Sequence, residues 1–329
     1  MGRRVRAFSR HIIGKSERPD GGSNQLNHRR SEAAASQAAK RTVSRADLER
    51  HDGFEQVSPE VGVLDEEAFS RKLASNPDEA LTMLADLVAA TDPTLSSLAR
   101  SLAGRIFIDI ASRVGPMSRG IGRMVTRRDT ESMAEIDVDA SIDVLVAHRA
   151  TGVLEEDELR HRTWTKNTHA LSLVVDRSGS MGGAPLATAA LATAAVAHRR
   201  PVDYSVLVFG GQVGVAKGQE TDVPTERLVN SVLSLRGFGT TNLSEALLES
   251  RRQLETSRAQ RKIVILLSDC RSTSVVSAEE VARGLDELVV ISHVDDADEA
   301  RAFATRVGAR CATVSGPSDI PSALFEVLG

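Results

Sequence analysis

The sequence predicts an α/β protein with a doubly wound, mainly parallel sheet that follows an N-terminal helical region. From residue 170 to the end of the chain, short apolar runs alternate with helical segments. This alternation is typical of repeated βα units, which build a parallel sheet covered by helices on both faces. Between residues 58 and 113, by contrast, apolar residues recur at helical spacing. That spacing favours packed helices without strands.

Three parts are predicted along the chain. Residues 1–57 are expected to be a disordered basic tail, because residues 1–50 carry 12 Lys and Arg against 5 Asp and Glu and contain few apolar residues. A solubilising or docking role is favoured for this tail, and nucleic-acid binding is not expected because interleaved aromatic residues are missing. Residues 58–163 are predicted to be a helical region with a basic connection, and residues 164–329 to be the α/β domain.

Helix-start signals divide the helical region. Asp65, Asn76-Pro77 and Asp92-Pro93 each precede a helical pattern. The Gly- and Arg-rich connection at 114–130 is either a solvated loop or a docking surface for an acidic partner, with Arg119, Arg123, Arg127 and Arg128 as its cations. A short helix is predicted at 137–147, with Asp137, Asp139 and Asp143 as helix-start charges. The segment that contains these three aspartates lacks the Gly and the terminal Glu of an EF-hand loop.

The elements of the α/β domain follow from its apolar runs. Strands are predicted at 171–175, 202–209, 213–216, 263–268, 288–293 and 311–314, and helices at 184–198, 225–235, 242–256, 277–285, 297–306 and 318–328. The short run at 213–216 is consistent with an antiparallel edge strand. In sheets of this kind ligands bind at the carboxyl ends of the strands.

A metal-binding pattern stands at the end of the first strand of this domain. Asp176, Ser178 and Ser180 alternate along a polar loop between that strand and an Ala-rich helix. Their oxygen atoms can converge on one point, and oxygen ligands suit the hard cations Mg²⁺ and Mn²⁺. The loop has no Gly-Lys-Ser/Thr sequence of a phosphate loop and no Gly-x-Ser-x-Gly sequence of a hydrolase elbow.

Together with two later segments, this pattern resembles the metal-ion-dependent adhesion site of the von Willebrand factor A (VWA, integrin I-like) family, whose fold is Rossmann-like. The resemblance implies a Thr from the Gly-rich segment 237–243 and an Asp after the strand 263–268, here Asp269. Thr241, which Asn and Leu follow, is the better match, and Thr240 remains the alternative. Cys270 stands where a Gly is common, so the loop is expected to be less free to adopt positive φ.

A second resemblance concerns the longer arrangement of a helical region, the stretch at 137–142 and Trp164-x-Lys166 before the metal-site strand. It is similar to the VWA proteins that accompany MoxR-type AAA+ ATPases and to the C-terminal part of the magnesium-chelatase D subunit, although no Walker motif precedes it. This implies a chaperone-like interaction module that binds Mg²⁺, works with such an ATPase and grips a client carboxylate, for remodelling or for metal or cofactor insertion. The alternative is a hydrolase that uses the cation as Lewis acid, but no convincing base is evident and no enzymatic activity is expected.

Composition sets the remaining expectations. The chain is 41% hydrophobic and 26% charged, and no stretch approaches the roughly 18 to 20 apolar residues that span a membrane. No apolar run follows Arg3-Arg4, so a secretory signal is not supported and a cytoplasmic, bacterial protein is expected. Cys270 and Cys311 are expected near opposite edges of the sheet, too far apart for a disulfide.

Overall fold

The computed structural model describes most of the chain beyond residue 41. The described residues are 42–113, 123–127, 135–152, 159–165, 169–177, 183–198, 203–235, 241–271 and 277–328. Several predictions from sequence therefore lie outside them: the tail up to residue 41, Arg119 and Arg128 of the basic connection, Ser178, Ser180 and Thr240.

Among the described residues, five helices precede the sheets, and the starts of the last three match the sequence signals. They are α1 (Arg45–Leu48), α2 (Phe54–Val57), α3 (Glu66–Ser75), α4 (Pro77–Val88) and α5 (Pro93–Arg113). The Asp65 carboxylate accepts hydrogen bonds from two backbone N–H groups at the start of α3, and the Asn76 side chain caps α4. Asp92 accepts from Thr94 N at 2.8 Å at the start of α5. Polar caps thus satisfy the first N–H groups of each long helix.

The expectation of disorder up to residue 57 is wrong for residues 42–57. Val43 pairs with the end of α4, because its backbone N–H donates to Ala89 O at 2.8 Å and its carbonyl accepts from Thr91 N at 2.9 Å. Leu48, Phe54 and Val57 are buried in the core. A few apolar residues in a polar segment are enough to order it when a neighbouring helix supplies the rest of the core.

A small antiparallel sheet stands in the middle of the chain, where no strands were predicted. Its strands β1 (Arg123–Arg127), β2 (Glu135–Ile136) and β3 (His161–Thr165) lie in the order β1-β3-β2. Part of the basic connection is therefore a strand. Helix α6 (Val138–Thr151) follows β2, and Asp137 caps it as predicted, accepting from Ala140 N at 3.1 Å.

Asp137 also ties this small sheet together. Its carboxylate accepts a 2.6 Å hydrogen bond from the Thr126 hydroxyl on β1 and a 3.0 Å bond from Arg162 Nε on β3. The Thr126 bond, followed by the Ala140 backbone bond and Arg162, lowers the pKa of Asp137 below its ordinary value of 3.8. The ionised carboxylate therefore stabilises the junction of α6 with the small sheet.

The main sheet has six strands and confirms the predicted fold class. The strands β4 (His169–Asp176), β5 (Asp203–Phe209), β6 (Val213–Lys217), β7 (Arg261–Leu267), β8 (Glu287–His293) and β9 (Arg310–Val314) lie in the order β6-β5-β4-β7-β8-β9. All neighbours are parallel except β6, which pairs antiparallel with β5 at the edge as predicted. The helices of this part are α7 (Gly183–His198), α8 (Thr225–Leu233), α9 (Leu243–Glu255), α10 (Ala278–Arg283), α11 (Ala297–Val307) and α12 (Ile320–Leu328).

Side chains on the two faces of the sheet enter different cores. Helices α9, α10 and α11 cover one face. On the other face, α7, α8 and α12 share a single core with the N-terminal helices. Among the described helices, none is long and apolar enough to cross a membrane.

The strand order also corrects the expected places of the cysteines. Cys311 lies on the edge strand β9, but Cys270 follows the interior strand β7, so a single strand separates the two. Both thiols are free.

Helix α7 explains why the N-terminal helices pack on the sheet. Eleven of its sixteen residues are buried, and they lie on all sides of the helix rather than on one stripe. A helix that is apolar all round is stable in water only when other elements cover its outer side. Helices α4 and α5 both contact α7 and provide that cover.

Removing the N-terminal helices that cover α7 should destabilise the α/β part. We expect a fragment of residues 164–329 to unfold at a much lower temperature than a fragment of residues 42–329, because each newly exposed Leu or Val side chain forfeits roughly 1.5–3 kcal/mol. Circular dichroism during heating measures both transitions. Equal melting temperatures would show instead that the α/β part folds without the helices.

Candidate metal centre

Asp176 lies where the crossover connections of the sheet diverge. It is the last residue of β4, which runs between β5 and β7 in the middle of the sheet. The chain leaves β4 through α7 toward β5 and returns to the other side of β4 only with β7. Ligands of doubly wound sheets bind at such a switch point, beyond the carboxyl ends of the strands.

Ser268 connects the ends of β4 and β7. Its hydroxyl donates a 2.6 Å hydrogen bond to Asp176 Oδ2, and the same oxygen accepts a 2.9 Å bond from Cys270 N. The Ser268 side chain is buried, so both bonds are shielded from water. This serine therefore orients the Asp176 carboxylate and fixes the turn that contains Asp269.

The sequence analysis assigned no function to Ser268. The available signal is a hydroxyl residue at the end of an otherwise apolar strand, directly before Asp269. A single Ser at a strand end is too common to indicate a contact across the sheet, and the contact depends on the pairing of Val175 with Leu267.

Asp269 is held by the chain that follows it. Its Oδ1 atom accepts from Arg271 N at 3.0 Å. The Arg271 guanidinium lies between two carboxylates, with Nε 3.9 Å from Asp269 Oδ2 and Nη2 3.1 Å from Asp296 Oδ1. The Asp269 carboxylate therefore remains at the carboxyl edge of the sheet, one residue beyond Ser268.

Thr241 is brought to the same corner through β5. Consecutive carbonyls at the end of β5 hold the residues that follow the two candidate ligands: Phe209 O accepts from Arg177 N at 2.7 Å, and Gly210 O accepts from Asn242 N at 2.8 Å. Arg177 and Asn242 are therefore anchored to adjacent residues at the end of β5. The Thr241 side chain is buried, and Asn242 caps α9 by accepting from Glu245 N.

The position of Cys270 corrects an expectation from sequence. Cys270 adopts φ 62°, the left-handed conformation for which a Gly is usually needed. For a residue with a Cβ this conformation costs about 1 kcal/mol or more, which burial of the side chain offsets. The loop therefore keeps its turn without Gly.

The chemistry of the donor atoms fits a hard cation. Asp176, Thr241 and Asp269 offer carboxylate and hydroxyl oxygens, the ligands that Mg²⁺ and Mn²⁺ prefer. Burial raises the pKa of the neighbouring Cys270 thiol above its ordinary value, with Asp269 contributing. No cluster of three or more His, Cys, Asp and Glu side chains occurs in the described part of the chain. The candidate centre thus depends on hydroxyls as well as carboxylates.

Comparison with known proteins agrees with this fold. The family model described as "VWA domain containing CoxE-like protein" matches residues 110–293, more than half of the chain. The chain belongs to this family. The matched range of the CoxE-like protein contains the small sheet, α6 and all three candidate-site segments.

The similar solved structures named below each cover about half of this chain, and this chain spans 63%, 74% and 44% of their lengths. They include a mutant of the PilB minor pilin of Streptococcus sanguinis (12% identity, 52% of this chain, 63% of the pilin, TM-score 0.42). Another is the manganese-loaded TRAP protein of Plasmodium vivax (19% identity, 50% of this chain, 74% of the TRAP chain, TM-score 0.41). A third is a von Willebrand factor type A protein of Catenulispora acidiphila (19% identity, 51% of this chain, 44% of that protein, TM-score 0.40). A search among curated protein sequences finds no match.

Ser268 provides a test of the candidate centre in this CoxE-like protein. We expect Ser268→Ala to weaken Mn²⁺ binding about tenfold or more, because residues that orient a metal ligand typically contribute that much. Mn²⁺ titration followed by electron paramagnetic resonance measures the affinity.

Ser172→Ala is the matched control. Ser172 is a second buried serine, on β4, and its hydroxyl accepts a 3.0 Å bond from Ser205 within the sheet. Both substitutions should reduce the free energy of unfolding by about 1 kcal/mol. Equal Mn²⁺ affinity in the two variants would contradict the assigned role of Ser268.

Proposed function

We propose that this protein is a metal-dependent protein-interaction module that works in the cytoplasm with a MoxR-type AAA+ ATPase. Asp176, Ser178, Ser180, Thr241 and Asp269 would hold Mg²⁺ or Mn²⁺, and a client protein would offer a carboxylate. Together the two proteins would remodel the client or insert a metal or cofactor into it. Membership of the CoxE-like VWA family supports this proposal, because VWA domains are commonly metal-dependent interaction modules and this family is associated with AAA+ ATPases.

The observation that carries the proposal is the Ser268–Asp176 hydrogen bond at the switch point of the sheet. It holds one carboxylate in place at the end of β4 while Asp269 follows one residue later. Arg271 lies beside Asp269, and a divalent cation at the ends of β4 and β7 would add positive charge next to Asp176 as well.

The remaining residues of the centre are suited to attracting an anion. The three proposed hydroxyl ligands are neutral, so only the two carboxylates would offset the charge of the cation, and a coordination position left open would accept a client carboxylate. Arg177, which is half-buried, follows Asp176 directly, and Arg271 lies two residues beyond Asp269. Positive charge next to the proposed ligands favours an acidic partner segment and disfavours a basic one.

Hydrolysis would need a base beside the cation, in addition to these ligands. His293 ends β8 at the same edge of the sheet, but its Nε2 atom lies 2.8 Å from Ser315 O and its Nδ1 atom 3.4 Å from Asp295. The ring is thus engaged by Asp295 in its own loop and by Ser315 after the neighbouring strand β9. This arrangement favours the interaction module over the hydrolase.

Metal binding and catalysis can be tested on the same variants. We expect calorimetry to show Mn²⁺ binding that Asp176→Ala abolishes and that Asp298→Ala, a change of a fully exposed aspartate, leaves intact. We expect no hydrolysis of p-nitrophenyl phosphate, p-nitrophenyl acetate or casein with Mn²⁺ present. Unchanged Mn²⁺ binding in Asp176→Ala would refute the metal site, and hydrolysis that this variant loses would favour the enzyme.

A second surface, on α6, is suited to the ATPase. Val138, Ile142 and Val146 lie four residues apart, so they form one apolar stripe along the helix. Their exposed fractions are 58%, 54% and 62%. Contiguous exposed apolar side chains commonly mark a protein interface, whereas isolated ones do not. The exposed acidic residues Asp139 and Asp143 border the stripe and favour a partner with a basic rim.

The apolar stripe also lies close to the basic connection predicted from sequence. Asp137, directly before α6, accepts a hydrogen bond from Thr126 on β1, the strand that carries Arg123 and Arg127. Both candidate docking surfaces therefore belong to the unit formed by α6 and the small sheet. The metal centre is in a different part of the chain, at the edge of the main sheet. This separation would allow one surface to bind the ATPase and the other to bind the client.

Polar substitutions on the apolar stripe should weaken binding of the ATPase without affecting the metal centre. We expect Ile142→Ser with Val146→Ser to weaken binding to a purified MoxR-type ATPase at least tenfold, because interface binding energy concentrates in a few apolar anchors. Mn²⁺ affinity should not change. Val61→Ser with Val294→Ser, two exposed valines elsewhere, is the control. Equal ATPase binding by both double variants would show that the stripe is not the docking surface.

A further inference from the structure

Helix α4 makes a direct contact with the chain that leaves the candidate metal centre. Residues 177–182, called the metal loop below, connect Asp176 to Gly183, the first residue of α7. The Gly183 N–H donates a 2.9 Å hydrogen bond to Asp86 Oδ1 on α4. The other carboxylate oxygen, Oδ2, lies 3.1 Å from His51 Nε2. Both side chains of this pair are only 17% exposed.

The close approach of α4 to the start of α7 requires a glycine at position 183. Gly183 has φ +54°, and a Cβ there would lie 3.0 Å from Thr82 Cγ2 and 3.4 Å from Asp86 Oδ2. A side chain would therefore be strained and would push α4 away. Without one, the Asp86 carboxylate reaches the first N–H groups of α7, where the helix dipole favours a negative charge.

The two ends of the metal loop are thus fixed by different parts of the protein. Asp176 is fixed by the sheet and by Ser268. Gly183 is fixed by a carboxylate that comes from the N-terminal helices, 97 residues earlier in the chain. The six residues between these two fixed points include two of the proposed ligands, so both fixed points bear on the centre.

We propose that Asp86 is a positioning residue for the metal loop, so that α4 sets the affinity of the centre for its cation. The proposal rests on the function proposed above, because it concerns the same site. By holding Gly183, Asp86 fixes the point at which the chain that carries the proposed ligands Ser178 and Ser180 enters α7. A partner that binds the N-terminal helices and moves α4 then changes cation affinity, and cation binding changes the affinity for that partner by the same factor.

The same helix offers a matched control. Asp78, eight residues before Asp86, also accepts a hydrogen bond from a backbone N–H of the α/β part, that of Ser318 at 2.8 Å. Ser318 lies in the turn before α12, not in the metal loop. Both aspartates are half-buried. Replacing either one removes an equivalent bond between α4 and the α/β part, but only Asp86 touches the chain next to the candidate centre.

The experiment compares four variants of the full-length chain: Asp86→Ala, Asp86→Asn, Asp78→Ala and Asp176→Ala. Mn²⁺ affinity is measured by calorimetry, and thermal unfolding is measured without metal. We expect Asp86→Ala to weaken Mn²⁺ binding at least tenfold and Asp78→Ala to stay within twofold of the wild type at a similar melting temperature. Asp86→Asn keeps an acceptor oxygen for Gly183 N, so its affinity should stay within threefold.

A second measurement does not depend on metal. In hydrogen–deuterium exchange of the metal-free protein, we expect peptides that cover residues 177–183 to exchange faster in Asp86→Ala than in the wild type or in Asp78→Ala. Equal exchange in all three proteins would overturn the proposal. Three results of the Mn²⁺ titrations would also overturn it: wild-type affinity in Asp86→Ala, an equal loss of affinity in Asp78→Ala, or an Asp86→Asn affinity as low as that of Asp86→Ala.

The outcomes also separate this proposal from the proposed function. If the wild type binds Mn²⁺, Asp176→Ala abolishes binding and Asp86→Ala binds as the wild type does, the metal centre stands and the positioning role falls. If the wild type binds no Mn²⁺, both fall together.

Discussion

The burial of α7 is the constraint on which the rest of the structure depends. This helix follows the metal loop, and it is apolar on every side. It must therefore be covered both by the sheet and by helices from elsewhere in the chain. The N-terminal helices supply that cover, so they share one continuous core with one face of the sheet. Asp86 can cap α7, and Gly183 must lack a side chain, because α4 packs directly on α7.

The candidate centre is built from short hydrogen-bonded links between neighbouring strand ends. Ser268 joins the end of β7 to Asp176 on β4, and the end of β5 holds the residues that follow Asp176 and Thr241. Strand ends are suitable places for such links because the sheet fixes the backbone while the loops beyond it vary. The strained backbone at Cys270 fits this arrangement, since the turn after β7 must bring Asp269 to the same corner.

The unit formed by the small sheet and α6 differs from the rest of the protein in what it exposes. The helices around the main sheet bury most of their apolar residues, whereas α6 leaves an apolar stripe on the surface next to acidic residues. The family model covers this unit as well as the metal-site segments. A protein with one surface for a partner ATPase and another for a client would need this separation, because each partner could then bind without displacing the other.

The sequence by itself determined the parts of this protein that depend on local patterns. The predicted strands, helix starts and α/β fold class agree with the structure, because hydrophobic periodicity and capping side chains act over a few residues. The order of the motifs was likewise visible as residue types, with Asp176 and Asp269 after apolar strands and Thr241 in a Gly-rich segment. What only the tertiary structure decided were contacts between residues far apart in sequence. The ordering of residues 42–57, the pairing of β1 with β3, the Ser268–Asp176 bond and the Asp86–Gly183 contact each join segments that no local pattern connects. Such contacts form because apolar surface is buried and strands pair across the whole fold, so they become visible only when the packing is known.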